Sequence, residues 1–257
     1  MLFHLLPFIV SFAIADTAVS LKAADGSKVH ANSSVAHKAT RGVVLAHMLG
    51  RDSSDWESLT KRLNAANMTT IAVDLRGHGK SDKAGTTLTE ADYAAMVQDV
   101  AAGAAWLRTK GVNEVSCIGA SIGANLCARL GASDPDIVNL VLLSPGLNYK
   151  GITSGDAIQS YGDRPVLIVA SEDDRFAPRS ASLLEEVAKG QVHYELLDDG
   201  GHGTKMLTRD ARLEGMVLSW VLGTFKLMDG ELVRPKPTIQ RDNEEITTSG
   251  RKLQVHQ

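Results

Sequence analysis

Only two cysteines, Cys117 and Cys127, occur in the 257 residues. Their spacing makes neither a CxxC redox pair nor a zinc motif. No group of His, Cys and carboxylates carries metal-ligand spacing either, so neither metal nor cofactor is expected. Basic residues are not in excess: 27 Lys and Arg against 30 Asp and Glu leave a net charge of -3. That removes the electrostatic footprint that nucleic acid or an anionic membrane would call for. Internal repeats and low-complexity tracts are absent, which excludes solenoid architectures. A hydrophobic run long enough to cross a bilayer is also missing, because the most apolar stretch, residues 1–15, is too short. It ends in Ala13-Ile14-Ala15 before Asp16, small residues of the kind a signal peptidase cuts behind. Residues 1–15 are therefore expected to be an export leader, giving a periplasmic or secreted protein, although only His4 stands where a basic residue is usual. A chain without that leader would stay cytoplasmic.

What is present suits one α/β domain over residues 16–228: 44% of residues are hydrophobic and 22% charged, enough for a full core. Residues 229–257 are polar, include Pro235 and Pro237, and read as a solvated tail. Residues 19–22 and 28–31 flank Asp25-Gly26 as a hairpin. Short apolar runs follow at 43–46, 71–73, 115–118, 137–143, 166–170 and 192–197. Helical patterns over 56–66, 90–110, 124–130, 181–189 and 212–227 alternate with them. Continuous apolar strands alternating with helices imply a mostly parallel sheet covered on both faces.

Gly119-Ala120-Ser121-Ile122-Gly123 joins one such strand to one such helix. A serine between glycines at a strand-to-helix turn sits in a sharp, strained elbow that lifts its hydroxyl clear of the sheet. The cysteines lie on either side of this elbow; buried free thiols are expected there, since a disulfide needs side-chain vectors that face each other. Serine needs a base, and the base an orienting acid. In an open α/β sheet these come from loops at the carboxyl ends of strands. Asp173 and Asp174 follow the strand at 166–170, and His202 follows the strand at 192–197. His202 lies between glycines, which leaves its ring free to swing toward the hydroxyl. Ser144, before Pro145-Gly146, lacks an elbow and reads as a cap or turn residue. Gly79-Lys80-Ser81 lacks the spacing and the following helix of a phosphate loop.

These motifs together, with His47-Met48-Leu49-Gly50 and Asp74-Leu75-Arg76-Gly77-His78-Gly79-Lys80-Ser81, make the chain resemble the α/β-hydrolase superfamily over residues 19–227. The resemblance implies the α/β-hydrolase fold, with Ser121 as nucleophile, His202 as base and Asp174, four residues before Pro178, as the acid rather than Asp173. It implies an oxyanion hole from the backbone N–H of Ile122 and of a residue after His47. Met48 replaces the first glycine of the commoner His-Gly-x-Gly, so Leu49 is favoured with Met48 left as an alternative donor or acyl-pocket residue. His47 would pin that loop and His78 would belong to a structural turn. The stretch between Leu143 and Pro165 is too short for the helical cap domain of lidded relatives, which implies a shallow, open site. The outline is that of compact dienelactone-hydrolase-like members, with Ser in place of their Cys. The activity implied is a serine carboxylesterase for small or short-chain acyl esters, working without cofactor as a monomer or homodimer. A thioesterase, amidase or feruloyl-type esterase, or a non-catalytic binding scaffold, is the alternative.

Overall fold

The computed structural model describes residues 17–226. The expected leader and the whole of the expected tail lie outside the described residues. Two strands open the domain, β1 (Thr17–Lys22) and β2 (Lys28–Ser34), paired antiparallel across the turn at Asp25-Gly26. Then come β3 (Arg41–Ala46), a single 3-10 turn at Ser53–Trp56, α1 (Glu57–Ala65) and β4 (Thr69–Val73). The long α2 (Glu90–Thr109) starts at a capping box: the Asp92 amide donates to the Thr89 hydroxyl, and the Thr89 amide to the Asp92 carboxylate. Such reciprocal caps satisfy amide groups that the first turn leaves unpaired. β5 (Glu114–Ala120), α3 (Ile122–Ser133) and β6 (Ile137–Leu143) follow.

Between β6 and the next long strand lie a two-residue hairpin, β7 (Asn148–Tyr149) and β8 (Ile152–Thr153), and a short helix, α4 (Gly155–Tyr161). The chain closes with β9 (Val166–Ser171), α5 (Ala177–Val187), β10 (Val192–Leu197), α6 (Lys205–Arg209) and α7 (Leu213–Val221).

Eight strands form one sheet in the order β1-β2-β4-β3-β5-β6-β9-β10. From β4 to β10 all neighbours are parallel, and β2 meets β4 antiparallel. Side chains alternate across the pleat and feed a core on each face. Val44, Cys117 and Leu142 belong to the core beneath α2, α3 and α5; Leu45, Ile118 and Leu143 belong to the core beneath α1 and α7. Both faces being covered explains why the central strands are apolar without interruption.

The two cysteines are not free. Cys117 on β5 and Cys127 on α3 are joined by a disulfide with Cα atoms 5.5 Å apart, which corrects the expectation of free thiols. Sequence spacing cannot show that the helix leaving the elbow folds back over its own strand. That return brings position 127 above position 117.

Candidate active site

The elbow is a matter of close approach. Ser121 has φ 55° and ψ -120°, a region that costs a non-glycine residue on the order of 1–3 kcal/mol and persists where the surroundings enforce it. The surroundings are the flanking glycines. A Cβ on Gly119 would lie 2.1 Å from the Gly123 carbonyl oxygen, and one on Gly123 would lie 2.2 Å from that of Ala46. Only glycine lets α3 start this close to β3 and β5. Ser121 stands at the N-terminus of α3, where the helix dipole favours developing negative charge, and the Ile122 amide is in its first turn.

Two loops at the same sheet edge carry the other predicted residues. The Nδ1 of His202 lies 2.5 Å from Oδ2 of Asp174. Burial pushes the Asp174 carboxyl up, but the hydrogen bond and charge of His202 and the amides of Phe176 and Ala177 outweigh it and hold it below the usual aspartate value. Asp174 is therefore an ionised carboxylate that fixes the imidazole with Nδ1–H toward it, leaving Nε2 as the basic nitrogen. Asp173 faces elsewhere. It accepts from the Ser171 hydroxyl (2.5 Å) and the Gly201 amide (2.9 Å) and pairs with Arg209. Asp173 thus ties the acid loop to the histidine loop without touching the imidazole.

The glycines around His202 do not leave it loose, contrary to the sequence expectation. Gly200 N–H donates to the Ser171 hydroxyl (2.6 Å), Gly203 N–H to the Ser144 hydroxyl (2.9 Å), and the Thr204 hydroxyl to Asp55 (2.5 Å). Here the glycines serve close packing: a Cβ on Gly203 would lie 2.6 Å from the Met48 sulfur. Met48 is buried with Trp56, Ala120 and Met206, and its sulfur packs against the histidine loop at Gly203. Leu49 is only partly buried and packs on the opposite core.

His47 is fully buried, its Nδ1–H donating to the Met48 carbonyl (2.8 Å) and its Nε2 accepting from the Leu75 amide (2.9 Å). Burial pushes its pKa down to about 4, so it is a neutral strut between the loop after β3 and the turn after β4. His78 stacks on it with ring centroids 5.2 Å apart and bonds the Arg76 carbonyl. Asp74 is the hub of that turn, accepting from the Ser53 and Lys80 amides and from His30.

Two site neighbours escape a reading of the sequence. Ser144, at φ 49°, is fully buried and holds Gly203. Tyr149, on β7, lies close enough to the Ser121 side chain for the two to interact electrostatically, and its ring is edge-on to His202 at 6.4 Å. Ser121 and His202 therefore share Tyr149 as a neighbour. Ser121 is only 6% exposed. No local periodicity marks a two-residue strand, which is why Tyr149 carried no signal.

Comparison with known proteins follows the same lines. The family model described as serine aminopeptidase, S33, matches residues 37–161. An uncharacterized protein of Mycobacterium tuberculosis is 31% identical over 105 residues, 40% of this chain and 29% of the relative. The 2-(acetamidomethylene)succinate hydrolase of Mesorhizobium japonicum is 35% identical over 114 residues, 44% of this chain and 38% of that enzyme. The matched segment thus spans well under half of these relatives' length. The Pyrococcus furiosus esterase superposes with a TM-score of 0.68 at 15% identity, over 82% of this chain and 91% of the esterase. The sheet order, the elbow and these likenesses give the chain the α/β-hydrolase fold.

Proposed function

We propose that the protein is a serine carboxylesterase acting on small or short-chain acyl esters. The observation that carries this reading is the Asp174–His202 bond of 2.5 Å, set at the sheet edge where the elbow presents Ser121. In this scheme Nε2 of His202 takes the Ser121 proton as Oγ attacks the acyl carbon, and then gives it to the departing alkoxide. Asp174 stabilises the imidazolium formed in between. The amides of Ile122 and Leu49 receive the developing oxyanion. Water repeats the cycle on the acyl-enzyme and releases the acid. We also propose export, since a disulfide between buried cysteines is formed and kept in an oxidising compartment.

A second reading, cleavage of amide bonds, is favoured by the description of the matching family as serine aminopeptidases. It uses the same three side chains and differs in the leaving group. A panel of p-nitrophenyl acetate, an acetyl thioester and an aminoacyl p-nitroanilide separates the two readings. Ser121→Ala is expected to lower turnover of the best substrate by roughly 10⁴-fold or more while the circular dichroism spectrum is unchanged. A fluorophosphonate label is expected on Ser121 alone. A fully active Ser121→Ala removes Ser121 as nucleophile, and a protein that neither takes the label nor turns over any of the three substrates leaves a binding scaffold.

A further inference from the structure

Tyr149 is not needed by the reaction scheme, yet it stands beside both reacting side chains. It interacts with the Ser121 side chain, its O–H reaches the Ser144 carbonyl at 3.4 Å, and its ring stands edge-on to His202 at 6.4 Å. Its position is also enforced from behind. A Cβ on Gly146 would lie 2.5 Å from the Tyr149 ring, so the β6–β7 turn is built to let the ring lie flat against backbone. That turn is itself braced, because the Ser154 hydroxyl donates to the Gly146 carbonyl at 2.6 Å and the Gly146 amide donates to Asn125 at 3.2 Å. Ser144, which holds the histidine loop, also anchors the phenol.

The direction matters. His202 returns its proton to the leaving oxygen, so the leaving group must lie on the imidazole side of Ser121. Tyr149, beside Ser121 and edge-on to His202, occupies that side. We propose that Tyr149 is the specificity-determining wall of the leaving-group pocket, and that it restricts the enzyme to esters of small alcohols. This rests on the esterase reading and adds to it the half of the substrate that the acyl chain does not define. The fixed ring limits width, and the hydroxyl, which stays protonated because burial pushes its pKa up to about 12, can turn its proton from the Ser144 carbonyl, 3.4 Å away, to a substrate oxygen.

The experiment keeps the acyl group constant and varies the alcohol: ethyl, phenyl and 2-naphthyl acetate with the full chain and with Tyr149→Phe, Tyr149→Leu and Tyr149→Ala. Tyr149→Ala is expected to raise the naphthyl-to-ethyl ratio of kcat/KM at least tenfold, and Tyr149→Leu to raise it part of the way. Tyr149→Phe, which keeps the ring, should preserve the ratio and lower the rate on all three esters. The preference among p-nitrophenyl acetate, butyrate and hexanoate should not move. An unchanged naphthyl-to-ethyl ratio in both shortened variants overturns the proposal, as does a shift in acyl-length preference instead. Should Tyr149→Ala not fold, Tyr149→Leu decides by the same criterion. Turnover of phenyl acetate by the unmodified protein separates this failure from failure of the esterase reading, in which the unmodified protein would hydrolyse none of the three esters, labelled or not.

Discussion

At the residue scale, the adjacent carboxylates show how position divides one chemical group between two tasks. Asp174 faces His202, and Asp173, one residue earlier, faces the Gly201 amide and Arg209. Asp174→Asn is expected to reduce kcat by roughly 10³–10⁴-fold, because an amide no longer enforces the imidazole tautomer or stabilises the imidazolium. Asp173→Asn should leave kcat within a few-fold; equal losses in steady-state assays would reject the division. The spacing to Pro178 selected Asp174, but the partners of Asp173 could not be read from sequence, since they come from a loop across the sheet edge. His47 makes a second prediction. Its pKa of about 4 in the fold lies below the value of 6.5 for a free imidazole. The unfolded chain therefore binds the proton first. Stability is complete above about pH 6.5 and falls as pH drops toward 4, by about 3 kcal/mol at 1.4 kcal/mol per tenfold. Depressed carboxylates such as Asp174 act only below this window. Urea unfolding at pH 7.0 and 4.5 should show the loss in the unmodified protein and little of it in His47→Gln; the same slope in both would exclude His47 as its source.

At the scale of elements, the unit that matters is β5, the elbow and α3. The strand, the glycine pair and the helix were legible because each has a local signature: an apolar run, a five-residue motif, a helical period. The crosslink between them was not, since it depends on how the helix returns over its strand. Cys117 and Cys127 are separated by 10 positions, and closing a loop of that size in the unfolded chain is worth about 2–3 kcal/mol. The double variant Cys117→Ala, Cys127→Ala should therefore unfold at lower urea, with an unchanged m-value and a stability reduced by that amount. In protein matured by export, thiol titration after denaturation should find no reactive thiol. Two thiols per chain in exported material would overturn both the crosslink and the proposed compartment. The histidine loop has a similar history. Its glycines suggested freedom, whereas Ser171, Asp173 and Ser144 hold successive amides. The strand ends that supply those acceptors are distant in sequence, so the pinning is a tertiary property.

At the scale of the whole molecule, the long strands were legible because a sheet covered on both faces favours apolar segments, and the one at 137–143 coincides with β6. β10 matches 192–197 too, although at the sheet edge it is only partly buried and His193 and Glu195 break its apolar run. The hairpin β7–β8 and helices α4 and α6 were missed, being too short to establish a period. The missed hairpin is also what brings Tyr149 to the site. Among the described residues no helical cap domain covers the sheet edge, yet Ser121 is nearly buried and has Tyr149 as a neighbour. These two facts act on different substrates. A fixed wall narrows the site for bulky groups at every concentration, while a displaceable cap would produce a rate that jumps when an oil surface forms. The fold therefore calls for selectivity without interfacial activation. The kcat/KM for p-nitrophenyl esters is expected to fall steadily from acetate to laurate, and the rate on tributyrin to saturate smoothly through its solubility limit. A preference for long chains, or a sharp rise at the point where droplets appear, would mean that a segment moves over the site and that the edge is not open as built.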